Sequence, residues 1–134
     1  MSEYTYRQLD HQVEEIRLLA LKPRSGRKKT EVVKCELVNV PLSMKDAVPA
    51  YKALSYSWGN PSPADLILVD GLRHYIAKNL NAFLRRQREE CATRQYFWID
   101  AFCINQTDDD EKAVQIEMMR RIYAESSGLL IWLD

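Results

Sequence analysis

Two short apolar runs flank an amphipathic segment in YFWIDAFCINQTDDDEKAVQIEMMRRIYAESSGLLIWL, residues 96–133. The first run, YFWI at 96–99, has no polar break, which is typical of a central strand covered on both faces. Thr107 or Asp108 can cap a helix that runs to about Ser126. The run LLIWL that follows predicts the last strand. This stretch therefore predicts a strand, a long helix and a second strand.

Another helix and a hairpin precede this stretch. Asn79 is a favourable N-cap for a helix through about Glu90, where apolar residues recur at spacings of three and four. In LILVDGLRHYI, the pair Asp70-Gly71 is a favoured two-residue hairpin turn, because both positions tolerate positive φ. The second half of the chain thus alternates strand, helix, strand, helix, strand. That order predicts parallel pairing through right-handed crossovers.

The first half of the chain has an antiparallel pattern. Residues 15–22 and 31–40 alternate in polarity and are joined by a basic, glycine-containing loop, which predicts a hairpin. A third alternating strand over 52–58 is expected to break at GNPSPAD (59–65), which holds one glycine and two prolines. We therefore predict the α/β class, with a mixed, partly parallel sheet flanked by helices and an N-terminal antiparallel hairpin.

The composition is typical of one globular domain over residues 1–134, with 46% hydrophobic and 28% charged residues. Nineteen basic residues balance nineteen acidic ones, so no overall field attracts nucleic acid. Cys35, Cys91 and Cys103 form no CxxC pair and give no zinc ligand set, so we expect no metal. No run approaches the roughly 18 apolar residues of a membrane span. Without a signal segment, the chain is expected to be cytoplasmic.

Polar side chains follow the predicted parallel strands at the points where each strand ends. Ser57-Trp58-Gly59, the segment 100–106 and Asp134 reach one edge of the sheet if those strands are parallel. In open α/β sheets, ligands tend to bind beyond the carboxyl ends of the strands. The sequence therefore predicts that any ligand site lies at this edge.

Glu111 and Gln115 lie on the apolar stripe of the predicted last helix, at spacings of three and four from its apolar positions. Glu111 is therefore predicted to point inward or along the edge of the domain. A carboxylate in the first helical turn is favoured by about 0.3–1 kcal/mol through the helix dipole. Two interpretations stay open: Glu111 serves a site, or Glu111 and the three neighbouring aspartates only stabilise the start of the helix.

Several collinear blocks resemble the HET (heterokaryon incompatibility) domain of filamentous fungi. The block YKALSYSWG (51–59) resembles the signature YxALSYxWG, and NL (79–80) fits the block that follows it. The block FWIDAFCINQTDDDEKAVQIEMMRRIY (97–123) resembles WIDxxCINQxDxxEkxxQVxxMxxIY. LLIWLD (129–134) matches the closing strand, although relatives usually have Gly where this chain has Asp134.

The resemblance implies an effector of the cell-death response that follows fusion of incompatible fungal cells. Such domains usually stand at the start of longer multidomain proteins. Because the sequence stops on a predicted central strand, we expect residues 1–134 to be the N-terminal part of a longer protein, truncated after the last strand. HET domains also resemble TIR domains, which are α/β sandwiches. Some TIR domains self-associate and cleave NAD at the nicotinamide–ribose bond with one glutamate.

Two functions follow from the resemblance. The first is a signalling module in non-self recognition that associates with itself and with other signalling domains of the same or a partner protein. The second is a TIR-like NAD(P) glycohydrolase, with no cofactor and with NAD as its substrate. Its oxocarbenium-like transition state would be stabilised by a carboxylate, as in glycoside hydrolysis. Glu111 is the predicted catalytic residue, and the predicted ligand-binding residues are Tyr56, Trp58, Asp100, Asn105, Gln106 and Gln115.

Overall fold

The computed structural model describes residues 3–26, 28, 30–56, 62–90 and 92–132. Its strands are β1 (Glu15–Leu21), β2 (Lys34–Pro41), β3 (Lys52–Tyr56), β4 (Pro63–Val69), β5 (Leu72–Ala77), β6 (Gln95–Ile99) and β7 (Gly128–Trp132). Its α-helices are α1 (Lys78–Glu90), α2 (Asp100–Cys103) and α3 (Asp109–Ala124), and short 3-10 turns occupy His11–Val13 and Lys45–Ala47. Within these residues, no helix combines the length and the apolar character needed to span a bilayer.

The seven strands form one mixed sheet in the order β5-β4-β2-β1-β6-β3-β7. Strand β1 is antiparallel to both β2 and β6, whereas β3 is parallel to β6 and to β7. The predicted α/β class with a mixed sheet is confirmed. The carboxyl ends of β3, β6 and β7 therefore meet at one edge of the sheet.

The expected run of parallel neighbours does not extend to β5. Strand β4 pairs parallel with β2 and β5 pairs antiparallel with β4, which places β5 at the edge of the sheet opposite β7. Following these pairings across the sheet, β5 runs antiparallel to β6. Helix α1 consequently connects two strands that are neither parallel nor adjacent, because the β4–β5 hairpin reverses the chain direction just before it.

Both predicted hairpins are present. Strands β1 and β2 pair from Glu15↔Pro41 to Leu21↔Cys35. Between β4 and β5, Asp70 and Gly71 have φ values of 53° and 79°, the two left-handed residues of a type I′ turn. Pro63 lies inside the predicted break but starts β4, a position where a strand tolerates proline.

Helices α1 and α3 cover opposite faces of the sheet. The ring of Phe97 on β6 packs against Phe83 of α1, with centroids 5.5 Å apart. The ring of the next residue, Trp98, packs against Tyr123 of α3 at 5.6 Å. Because successive side chains of a strand point to opposite faces, the two helices lie on the two sides of β6. This double cover explains why Phe97, Trp98 and Ile99 are all buried.

The helix boundaries differ slightly from the sequence prediction. Helix α1 begins at Lys78, so the predicted N-cap, Asn79, lies inside its first turn and is buried. Asp108 caps α3 as predicted, since its side chain accepts a hydrogen bond from the Glu111 backbone N–H at 3.1 Å. The four-residue helix α2 was not predicted. It follows β6 directly and leads the chain to α3.

Candidate functional site

The edge formed by the carboxyl ends of β3, β6 and β7 contains the region in which the sequence places a site. Tyr56 ends β3, Asp100 follows β6 directly, and Trp132 ends β7. The structure therefore brings together three of the strand ends named from sequence. Trp58 and Asp134 lie outside the described residues, as does the side chain of Tyr56.

Glu111 points inward, as its place on the apolar stripe predicts, and is only 3% exposed. Its carboxylate forms a bidentate ion pair with Arg17 of β1, with both N–O distances at 2.7 Å. One carboxylate oxygen also accepts a hydrogen bond from the backbone N–H of Asn105 at 2.6 Å. Both oxygens of Glu111 are thus occupied by donors from the protein itself.

Arg17 is the residue of this site that the sequence did not reveal. Besides Glu111, its guanidinium donates hydrogen bonds to the Cys103 carbonyl at 3.1 Å and the Arg7 carbonyl at 2.6 Å. It also stacks 4.8 Å from the ring centroid of Tyr6. A single arginine inside the apolar run EIRLLAL, only 1% exposed in the fold, is the one available signal that a buried acidic partner exists.

The loop between α2 and α3 is held by hydrogen bonds from and to its own amide side chains, Asn105 and Gln106. The Asn105 Oδ1 accepts hydrogen bonds from the Thr107 N–H at 3.2 Å and hydroxyl at 2.9 Å. The Gln106 Nε2 donates to the Asp100 carbonyl at 2.9 Å. Asn105 and Gln106 therefore lie at the predicted edge, where these bonds fix the path of the loop.

Asp100 is the half-buried carboxyl group of this edge. One of its oxygens accepts a hydrogen bond from the Ala101 N–H at 2.7 Å. Burial raises the pKa of Asp100 above its ordinary value, and the Ala101 N–H offsets part of that effect. The neighbouring Tyr123 has a raised pKa for two reasons, first its own burial and second the negative charge of Asp100. The Asp100 carboxyl group and the Tyr123 hydroxyl are therefore close enough to interact electrostatically.

Gln115 is buried beneath this edge and contributes no exposed group to it. It is fully buried, and its Nε2 donates to the Glu15 carbonyl at the start of β1, at 3.2 Å. Of the residues predicted from sequence to bind a ligand, Asp100, Asn105 and Gln106 are brought together, while Gln115 joins α3 to β1 one turn further along.

Comparison with known proteins identifies the family of this chain. The family model described as Heterokaryon incompatibility protein (HET) matches residues 51–134, which is more than half of the sequence. The chain belongs to the HET family. A relative in Neurospora crassa, Heterokaryon incompatibility protein 6, OR allele, is 37% identical over 131 residues. That match covers 88% of this chain but 18% of the relative. No solved structure matches.

The HET signature is used mainly for internal contacts. Within it, Cys103 is fully buried, its sulfur accepts a hydrogen bond from the Ile99 N–H at 3.4 Å, and burial raises its pKa to about 12. A thiol that keeps its proton in this way is a poor nucleophile. The signature residues Glu111 and Gln115 each tie α3 to β1.

Two cavities lie at the other edge of the sheet, away from the carboxyl ends of β3, β6 and β7. One, of about 340 Å³, is lined by residues that include Pro49, Tyr51 and Glu125, and the other, of about 350 Å³, by residues that include Lys52 and Arg94. Both adjoin the amino end of β3. None of the site residues predicted from sequence lines either cavity.

Proposed function

We propose that this HET domain acts in heterokaryon incompatibility as a signalling module, working by association with copies of itself and with other signalling domains. The family model and the name of the Neurospora crassa relative support the biological role. The chain spans about a fifth of that relative's length, so the domain would act as one part of a larger effector. An effector of the cell-death response that follows fusion of incompatible fungal cells would work in the cytoplasm.

One observation favours a binding module over an enzyme. The glutamate of the signature, Glu111, has both carboxylate oxygens engaged by Arg17 and the Asn105 N–H. A catalytic glutamate needs at least one oxygen that can reach a substrate atom. To stabilise an oxocarbenium-like state, Glu111 would first have to break a buried bidentate pair, which is costly.

The TIR-like NAD(P) glycohydrolase stays as the competing hypothesis, since Asp100, Asn105 and Gln106 meet at the expected edge of the sheet. Asp100 is the better-placed carboxyl group there, because it is half-buried and interacts with the backbone N–H groups of Ala101 and Asp100 rather than with a buried cation. In that hypothesis Asp100 and Gln106 would hold the ribose hydroxyls of NAD.

The two functions are separated by incubating the purified chain with NAD while measuring nicotinamide release and sedimentation. We expect concentration-dependent association without nicotinamide release. Asp100→Asn is the diagnostic variant, because Glu111→Gln also removes a structural ion pair. Nicotinamide release by the wild-type chain that Asp100→Asn abolishes, with the fold intact by circular dichroism, would refute the binding-module proposal.

A further inference from the structure

An extended N-terminal segment, residues 3–8, passes from β5 to β2 and β1. The Tyr4 N–H donates to the Arg73 carbonyl of β5 at 2.9 Å, and Asn39 Nδ2 of β2 donates to the Gln8 carbonyl at 3.2 Å. The segment contains no helix, and within the described chain its strand pairing is an isolated bridge to β5. Side chains, rather than a ladder of backbone hydrogen bonds, therefore hold this segment on the sheet.

The middle of the N-terminal segment contacts α2 and β1. The Tyr6 hydroxyl donates to the Phe102 carbonyl of α2 at 2.8 Å, and the Tyr6 ring lies 4.8 Å from the guanidinium of Arg17. The Arg7 carbonyl accepts a hydrogen bond from Arg17 Nη2 at 2.6 Å. The ring of His74 on β5 lies 6.4 Å from Tyr6 and 5.2 Å from Phe102. Aromatic rings thus pack the segment between β5 and α2.

Arg17 joins this segment to the loop between α2 and α3, residues 104–108. On one side its guanidinium holds the Arg7 carbonyl, and on the other it holds the carboxylate of Glu111. The Glu111 oxygen that accepts from Arg17 Nη1 also accepts the Asn105 N–H at 2.6 Å. A path of direct hydrogen bonds therefore runs from the N-terminal segment, through the buried ion pair, to the loop.

The loop at the end of this path forms part of the candidate site. Asn105 precedes Gln106, whose Nε2 donates to the Asp100 carbonyl at 2.9 Å. A shift of the Asn105 backbone would therefore move the Gln106 side chain relative to Asp100. The position of the loop decides the shape of this edge of the sheet.

We propose that the N-terminal segment is a releasable strap that controls the order of the loop between α2 and α3, with Arg17 as the link. When the segment is docked, its Arg7 carbonyl and Tyr6 ring fix the guanidinium, which in turn fixes Glu111. When it is released, Arg17 keeps its ion pair with Glu111, so the fold survives while the loop gains freedom. The device does not depend on which ligand the edge binds, and it goes beyond the proposed function.

Two measurements report on the two ends of the path. Trypsin cleavage after Arg7, followed by mass spectrometry, reports release of the segment, because the carbonyl of the scissile bond is the one that Arg17 holds. Hydrogen exchange of the Asn105 N–H, followed by NMR, reports the order of the loop, because this N–H is bonded to Glu111. If the two ends are coupled, loosening one must loosen the other.

Tyr4→Ala loosens the segment at the end that is anchored on β5, through the Arg73 carbonyl and the ring of His74. With the fold intact by circular dichroism, we expect cleavage after Arg7 and exchange of Asn105 each to rise by at least about fivefold, the ratio that corresponds to the loss of one hydrogen bond.

Tyr6→Phe is the conservative second variant, since it removes only the hydroxyl that donates to the Phe102 carbonyl. We expect both rates to rise by about fivefold. Tyr51→Phe is its matched control, because the Tyr51 hydroxyl also donates to a helix carbonyl, that of Ile122 near the far end of α3, at 2.6 Å. It should leave both rates at the wild-type value.

Three results would overturn the proposal. Faster cleavage after Arg7 in Tyr4→Ala, with Asn105 exchange unchanged, would show that the segment leaves without consequence for the loop. Unchanged cleavage in both Tyr4→Ala and Tyr6→Phe would show that the segment is not releasable. Equal acceleration in Tyr51→Phe would assign the effect to a general loss of stability. None of these results depends on nicotinamide release or sedimentation, so the strap and the proposed function can fail separately.

Discussion

Replacing Glu111 with glutamine tests whether the buried ion pair holds α3 to the sheet. The substitution keeps the volume of the side chain but removes its charge. In either orientation its NH₂ group then faces an N–H of the Arg17 guanidinium, and in one orientation it also faces the N–H of Asn105, which sets donor against donor. The variant therefore isolates the electrostatic contribution of a site at which both partners are almost fully buried.

The expected cost is large relative to the stability of a domain. Removing one partner of a buried ion pair typically destabilises a protein by about 3–5 kcal/mol. A domain of this size is stable by about 5–15 kcal/mol. Because glutamine can still accept one hydrogen bond, we expect the lower end, about 3 kcal/mol, and a fall in Tm of roughly 10 °C.

Urea unfolding followed by tryptophan fluorescence measures this cost, since Trp98 is fully buried. Glu117→Gln is the control, because Glu117 is exposed on the same helix and should change the unfolding free energy by no more than about 0.5 kcal/mol. A Glu111→Gln cost under about 1 kcal/mol with an unchanged m-value would refute the assigned role of the pair.

A double-mutant cycle separates the pair from its surroundings. The double variant Arg17→Met, Glu111→Leu should be less destabilised than the sum of its two single variants, because neither charge is then left unpaired. It should not regain wild-type stability. The carbonyls of Cys103 and Arg7 lose their donor, and the Asn105 N–H loses its acceptor.

Three further results are expected. Burial raises the pKa of Asp100, so the folded state loses stability as the pH rises through that pKa. Asp100→Asn should therefore raise the unfolding free energy at pH 7 and leave it unchanged at a pH below 3.8, the ordinary pKa of the group. Urea titrations at pH 7 and below pH 3.8 measure both effects. Burial lowers the pKa of His74, so the stability that is present above its ordinary pKa of 6.5 is lost as the pH falls through the pKa of the folded state. The Tm of His74→Leu should therefore fall less on acidification than the Tm of the wild type. Gly71→Ala should cost about 1–2 kcal/mol in thermal unfolding because φ is 79°, whereas Gly128→Ala, which has open space for a Cβ atom, should cost almost nothing.

The local pattern of the sequence was sufficient for most of the secondary structure. The type I′ turn at Asp70-Gly71 and the cap at Asp108 each depend on contacts within a few residues, and the apolar runs of β6 and β7 are visible in the sequence itself. Such features leave a periodic trace that can be read without knowledge of the fold. The ends of the predicted parallel strands likewise located the edge of the sheet at which Asp100 and Gln106 meet.

Only the tertiary structure determined what Glu111 does. Its position on the apolar stripe predicted that it points inward. Its ion-pair partner in the interior, Arg17, is 94 residues away in sequence. The strand order is equally nonlocal, and it alone places β7 beside β3 and β5 far from β6. A local pattern shows which face of a helix or strand is buried. Which residue packs against that face depends on how distant segments of the chain come together, and no short window of sequence contains both Arg17 and Glu111.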